Sequence, residues 1–279
     1  MRQLGEVLRL SAGYLSEHGS PTPRLDAELL IGHALGLPRI ELYTNFDRPL
    51  DEPELAACRA LLERRGRREP VAYILGRWGF HGLDLAVDGR VLVPRPETEV
   101  LVDRCLALLD GREAPRVVDV GTGSGAIALA VKAARPDAAV VAADVSADAL
   151  AVAEANAAAL GLEVELVESD LLEAVAGRFA LIASNPPYIA ESEIAALEPE
   201  VAEYEPRLAT VAGPAGTEVL ERLVAAAPEA LEPEGHLVVE CGAGQAQDVR
   251  GMMAAAGAAE TFAEPDLAGI DRVVVGRWA

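Results

Sequence analysis

The chain has 279 residues and a formal charge of −21, from 45 acidic and 24 basic side chains. This acidity argues against a nucleic-acid substrate, because phosphate backbones demand basic patches. With 51% hydrophobic residues, no uninterrupted apolar run of about 18 residues and no basic-then-apolar leader, the chain reads as a soluble, unexported, cytoplasmic protein with core enough for two compact units. Cys58, Cys105 and Cys241 are scattered and form no Cys-x-x-Cys, which fits a reducing compartment. His18, His33, His81 and His236 show no metal-ligand spacing, so no metal is expected.

The first part of the chain is patterned as helix. Leu4, Val7, Leu8, Leu10 and Ala12 line one stretch. Leu25, Leu29, Leu30, His33 and Ala34 line a second, after the helix-start signal Pro21-Thr-Pro23. Leu55, Cys58, Leu61 and Leu62 make a third face, opened by Asp51-Glu-Pro53. Spacings of three and four predict amphipathic helices packed on one another in a domain over residues 1–77. Arg64-Arg65-x-Arg67-Arg68 reads as the solvated end of a helix, where cations suit the dipole. A β-hairpin is expected next, over 78–93, turning on Asp88-Gly89 and linking this domain to the rest. Pro94-Arg95-Pro96-Glu97-Thr98-Glu99 then starts a helix that runs through Leu109.

From Pro115 strands and helices alternate, which predicts a parallel doubly wound sheet within a domain over 94–279. Val117 to Val120 read as a buried strand and 126–134 as a helix, joined by a tight turn around Gly121, Gly123 and Gly125. Glycine permits positive φ and lets a ligand approach bare backbone, and the helix N-terminus offers unpaired N–H groups. Gly121-x-Gly123-x-x-Ala126 also fits a loose dinucleotide fingerprint, so NAD binding stays open at this point. Asp119, at the strand end, can meet a cationic amino group directly or through water. The strand 138–144 ends in Asp144, an acid placed for a ribose diol or, alternatively, for capping the helix that starts near Ser146. A third strand, 164–167, leads to Asp170-Leu171, an acid and an apolar residue that suit the amino group and face of adenine.

The apolar run Phe179–Ser184 reads as a further buried strand, and it ends in Asn185-Pro186-Pro187-Tyr188. By itself Pro-Pro after a strand is a turn signal. Here it stands beside the glycine loop, at the sheet edge where open α/β folds bind ligands. A side-chain amide, a proline-locked carbonyl and an aromatic ring are fitted to hold a planar NH2 group while its nitrogen is alkylated. The segment 189–213 lacks a clean period, and such long loops usually serve as lids or binding flaps. Strands near 235–240, 258–263 and 271–276, with helices near 216–230 and 245–256, complete the pattern.

In this order and spacing, Asp119-x-Gly-x-Gly-x-Gly125, Asp144, Asp170-Leu171 and Asn185-Pro-Pro-Tyr188 resemble the class I (Rossmann-like) S-adenosylmethionine methyltransferases that modify exocyclic or amide nitrogen. Within these the chain resembles the PrmC/HemK family of release factor glutamine N5-methyltransferases. Pro70-Val-Ala-Tyr-Ile-Leu-Gly76, Val93-Pro-Arg-Pro-Glu-Thr-Glu99, Tyr204-Glu-Pro206 and Gly269-Ile-Asp-Arg272 match as well. The resemblance implies S-adenosyl-L-methionine as cofactor, held by Asp119, Gly121, Thr122, Gly123, Ser124, Gly125, Asp144, Asp170, Leu171 and Asn185. It implies catalysis by Asn185, Pro186 and Tyr188, with Pro187 also at the substrate, and closure over the cofactor's methionine end by the segment carrying Arg95. The implied substrate is the Gly-Gly-Gln glutamine of a peptide chain release factor, with residues 1–77 as recognition domain; composition and charge add the expectation of no membrane and no direct nucleic acid, and a monomer is expected. Leu171 departs from the pattern, being aliphatic where an aromatic ring could stack on adenine. The alternatives are a glutamine on a ribosomal protein and, against the charge, an exocyclic amine in DNA or RNA. An NAD-dependent oxidoreductase would leave Asn185–Tyr188 unexplained, and a non-catalytic module would not need every motif position filled.

Overall fold

A computed structural model of the chain describes residues 2–279. It divides into two compact units. The first holds the chain up to Arg77 together with Glu198–Tyr204, and the second holds Trp78–Leu197 and Glu205–Ala279.

In the first unit, β1 (Arg2–Gln3) pairs antiparallel with β2 (Pro49–Leu50), and five helices follow the chain: α1 (Leu4–Glu17), α2 (Pro23–Leu35), α3 (Arg39–Thr44), α4 (Glu52–Gly66) and α5 (Val71–Leu75). Local chemistry sets their ends. Pro23 opens α2 and Gly36, with φ 65°, closes it. Asp51 and Glu54 form a reciprocal capping box at the start of α4. The core gathers Leu4, Val7, Leu8, Ile31, Leu42, Leu50 and Cys58.

Three details differ from the sequence reading. Leu10 faces solvent, and the buried row of α1 continues through Ser11 and Leu15 instead. On α2 the buried face is Asp26, Ala27, Glu28, Leu30, Ile31 and Gly32, while Leu25 and His33 are exposed. Hydropathy misplaces this face because two of its members are carboxylates, each neutralised in part by an arginine outside the helix, Arg65 for Asp26 and Arg39 for Glu28. Asp26 accepts from Arg65 Nε at 2.7 Å and from the Ser20 and Thr22 hydroxyls. Glu28 accepts from Arg24, Arg39 and Tyr43. The arginine cluster is likewise not a solvated helix end. Arg65 is buried and pairs with Asp26 and Glu200, Arg68 pairs with Glu198 and Glu200, and the Tyr204 hydroxyl donates to the Arg67 carbonyl. These acids lie in the middle of the segment expected to be a lid, and they count with the helical unit.

The second unit begins with a hairpin, β3 (Arg77–Phe80) and β4 (Leu83–Ala86). It turns at His81-Gly82, with φ of 46° and 79°, the double positive value of a tight hairpin turn. The expected turn at Asp88 does form, with Val91 N donating to Asp88 O at 3.1 Å, but it joins no strands. Residues 78–80 are already paired with β4, and the Asn156 side chain takes both the N–H and the carbonyl of Ala86.

The remaining elements are α6 (Pro96–Leu108), β5 (Arg116–Val120), α7 (Ala126–Ala134), β6 (Ala139–Asp144), α8 (Ala147–Leu160), β7 (Glu165–Glu168), β8 (Phe179–Ser184), β9 (Ile189–Ala190), α9 (Arg207–Thr210), β10 (Val211–Gly213), α10 (Glu218–Ala230), β11 (Leu231–Glu240), α11 (Ala246–Ala255), β12 (Glu260–Pro265) and β13 (Asp271–Arg277). Seven strands form one sheet in the order β12-β13-β11-β8-β5-β6-β7. β11, β8, β5, β6 and β7 are parallel, while β13 and β12 run antiparallel at one edge. Alternate strand residues feed two cores. Val117, Leu181, Val238 and Val275 pack with α6 and α7, whereas Val118, Ile182, Val239 and Val274 pack with α10 and α11. The strand order reverses between β5 and β8, and the loops after these two strands therefore meet at the crevice where such sheets bind ligands. Among the described residues no helix is long and apolar enough to cross a membrane.

Candidate active site

The loop after β5 is folded onto the tip of β6, with Gly121 N and Thr122 N both donating to Ala143 O, at 2.8 and 3.0 Å. Gly121 and Gly123 have φ of 73° and 56°. An added Cβ at either would meet no protein atom within 4 Å, so the bare backbone faces the open space of a cavity of about 370 Å³ that both residues line. Thr122 and Ser124 also line it. Gly125 does not. It begins α7 at φ 83°, and a Cβ there would press on Leu129 and Ala153.

Asp119 does not reach the cavity either. Strand alternation turns it into the core shared with α6 and α7, fully buried, where its Oδ2 accepts from Thr122 Oγ1 at 2.6 Å and from Ala128 N at 3.1 Å. The expected direct contact with a cationic ligand gives way to bracing of the glycine loop. Burial pushes its carboxyl from 3.8 up to about 7, against the pull of these hydrogen bonds. Between those values the folded chain keeps a proton that the unfolded chain has released, so this group's contribution to stability is full below about pH 4 and is lost as pH rises through about 7. Asp119→Asn removes that dependence. The melting temperature of the variant should gain on the parent from about pH 4 to about pH 7 and hold level above that, and a constant difference across that range would show the buried carboxylate to be ionised throughout.

Asp144, at the end of β6, does line the cavity. Its Oδ2 accepts from Gly123 N and its Oδ1 from Ser146 N, each at 2.9 Å, so it ties the glycine loop to the start of α8. The helix cap itself is Ser146, whose hydroxyl accepts from Ala149 N. Burial raises the Asp144 carboxyl above its ordinary range, and the backbone N–H groups of Gly123 and Ser146 oppose the rise. Asp170 and Leu171 lie beyond β7 on the cavity wall. Asp170 is exposed and ion-paired with Arg222 at 2.8 Å, and Leu171 adopts φ 52°, a value uncommon for a side-chain-bearing residue.

At the end of β8, the Ser184 hydroxyl donates to Val120 O at 2.7 Å and locks the two loop-bearing strands together. Asn185, Pro186 and Pro187 all line the cavity. The Asn185 Nδ2 donates to Thr98 Oγ1 at 3.0 Å, and the Thr98 hydroxyl in turn donates to Glu240 Oε2 at 2.6 Å. Tyr188 is turned away from the cavity. It packs into the core of α10 and α11, and its hydroxyl donates to Glu240 Oε1 at 3.3 Å. Burial raises both the Glu240 carboxyl and the Tyr188 hydroxyl above their ordinary values. Arg95 is also off the cavity wall. It occupies the N-cap position of α6 and pairs with the buried carboxylate of Glu205, which also accepts from Val93 N.

Sequence reading did not assign Thr98, Glu240 or Glu205 a part in the site. The signals were present but mute. Thr98 sits in a proline-flanked helix start, Glu240 is an acid at the tip of a predicted apolar strand, and Glu205 lies in an unpatterned segment.

Comparison with known proteins identifies the parts of the chain. The family model of the PrmC N-terminal domain matches residues 6–76, and that of the methyltransferase small domain matches residues 98–202. Among solved structures, the catalytic domain of hMettl16 in complex with an RNA hairpin aligns with a TM-score of 0.59 at 14% identity, covering 82% of this chain and 83% of that one. The Thermus thermophilus 16S rRNA N2 G1207 methyltransferase, in complex with AdoMet and guanosine, aligns with a TM-score of 0.54 at 17% identity over 73% of this chain and 50% of that one. These two structures share the fold, and the methyltransferase small domain model gives the class, a methyltransferase, so the dinucleotide reading of the glycine loop falls away.

Two curated relatives make the assignment narrower. A release factor glutamine methyltransferase of Geobacter sulfurreducens is 48% identical over 98% of this chain and 95% of its own length. One from Deinococcus radiodurans is 41% identical over 99% of both chains. The chain belongs to the release factor glutamine methyltransferase family.

Proposed function

We propose that this enzyme transfers a methyl group from S-adenosyl-L-methionine to the side-chain amide nitrogen, N5, of the glutamine in the Gly-Gly-Gln motif of peptide chain release factors. Near-full-length identity to relatives of that name supports the substrate class. The observation that carries the chemistry is the orientation of Asn185. Its Nδ2 is engaged by Thr98, which lines the same cavity, so Oδ1 is the amide atom left to meet a substrate there. The residues present fit the cofactor. The bare backbone of Gly121 and Gly123, the acid of Asp144 and the apolar side chain of Leu171 surround a cavity within the size range of small-molecule sites. When bound, the cofactor supplies a methyl group on a sulfonium, a leaving group that needs no further activation by the protein.

The protein's task is then the nucleophile. A carboxamide nitrogen is poor because its lone pair is shared with the carbonyl. Asn185 Oδ1 and the Pro186 carbonyl each accept one N–H of the substrate amide. Two acceptors aim the nitrogen and stabilise the positive charge that grows as it loses planarity; the nitrogen then sheds one proton to solvent, and S-adenosyl-L-homocysteine is the other product. Proline at 186 holds φ near one value, so little entropy is lost in presenting its neighbour's side chain and its own carbonyl. Residues 1–77 serve as the recognition domain for the release factor, and a translation factor as substrate places the reaction in the cytoplasm.

Radiolabelled S-adenosylmethionine offered in parallel with purified release factor, ribosomal protein and nucleic acid tests this reading. Label is expected in the release factor glutamine, and label confined to either other substrate overturns it. Asp144→Ala should weaken cofactor binding by about ten-fold or more, since it removes a ribose acceptor and also loosens the Gly123 loop it holds. Unchanged affinity in calorimetry would remove Asp144 from the cofactor site.

A further inference from the structure

We propose that Glu240 and Thr98 form a positioning relay that fixes which atom of the Asn185 carboxamide faces the substrate. This deepens the methyl-transfer reading and rests on it. An asparagine amide turns about its last torsion with little intrinsic preference, so its oxygen and nitrogen must be told apart by neighbours. A carboxylate carries only acceptors. Glu240 Oε2 therefore takes the single hydroxyl proton of Thr98, at 2.6 Å. With that proton committed, Thr98 Oγ1 can only accept from its other neighbour, and Asn185 meets it with Nδ2 at 3.0 Å. An inward Oδ1 would set two acceptors against each other. Glu240 is 1% exposed and off the cavity wall, and Thr98, on that wall, is 3% exposed, so solvent competes little for either residue. Glu240 Oε1 receives the Tyr188 hydroxyl, so both ends of Asn185-Pro186-Pro187-Tyr188 are braced on one carboxylate. The tyrosine thereby gains a part in the site without touching the cavity.

Three variants test the relay, with steady-state methylation of the release factor and cofactor affinity as readouts. Glu240→Gln can present an N–H to Thr98, freeing its proton to point at Asn185 and letting the amide oxygen turn inward. It should lower kcat by about ten- to a hundred-fold, the range for losing a charged hydrogen bond, while the dissociation constant for S-adenosylmethionine stays near that of the parent. Thr98→Val should do the same, and Thr98→Ser should recover most of the loss because the hydroxyl returns. In the double variant Glu240→Gln/Thr98→Val the two losses should not multiply, because both break one chain of bonds. Parent-like kcat in Glu240→Gln, or losses that multiply in the double variant, would overturn the relay. If the parent enzyme itself fails to methylate the release factor, the proposed function falls instead, so the two failures are separable.

Discussion

Asn185→Ala should abolish most methyl transfer and leave cofactor binding close to normal. The side chain supplies one of two acceptors for the substrate amide, and removing a preorganised group that stabilises developing charge costs about 10²–10³-fold in kcat. Its amide nitrogen donates to Thr98, a single neutral hydrogen bond, while the β8 end is also fastened by the Ser184 hydroxyl to Val120. The loss should therefore appear in single-turnover rates, with the melting temperature falling only by the few degrees that one lost hydrogen bond costs. A parent-like rate in Asn185→Ala would remove the orienting role altogether. Asn185→Asp sharpens the point. A carboxylate there would face Thr98 Oγ1 with an acceptor while the hydroxyl proton is held by Glu240, so the isosteric change should be nearly as damaging as alanine.

The largest expected effect on stability lies far from this chemistry, within the helical unit. Arg65→Met should destabilise that unit by about 3–5 kcal/mol, the usual consequence of stripping one partner from a buried ion pair. The Arg65 side chain is 4% exposed and lies 2.7 Å from both Asp26 and Glu200. Its removal leaves Asp26, as buried as the arginine, without a counter-charge, while Glu200 keeps Arg68. Arg64→Met is the control. Arg64 pairs with Glu69 from a side chain that is 43% exposed, and such a pair is worth about 1 kcal/mol or less. Thermal unfolding of the two variants should differ by many degrees, and equal melting temperatures would show the buried network to be energetically idle.

Much of the fold was legible because its signals are local. Glycines 121, 123 and 125 announce a turn that needs positive φ, and all three have it. The apolar runs at Val117–Val120 and Phe179–Ser184 read as buried strands because parallel strands are covered on both faces. The helical unit was less legible. Its second helix buries Asp26 and Glu28, and a hydropathy pattern assigns such residues to solvent unless their partners are known. The hairpin was misplaced for a similar reason. Both His81-Gly82 and Asp88-Gly89 are competent turns, and pairing of residues 77–80 with 83–86 selects between them.

Residue types at the ends of strands were enough to determine this protein's class and its family: a glycine loop, an acid on the next strand, and Asn185-Pro186-Pro187-Tyr188 in that order. These depend on backbone demands and chemistry carried within a few positions of one another. Tertiary structure alone decided what the side chains do there. It turned Asp119 into a brace for the loop, took Tyr188 and Arg95 off the cavity wall, and set Asn185 against Thr98 across 87 positions and Thr98 against Glu240 across 142. The physical reason is that a hydrogen bond's direction depends on which donor and acceptor are brought face to face out of water, and for residues so far apart only the packed sheet and its helices bring them together.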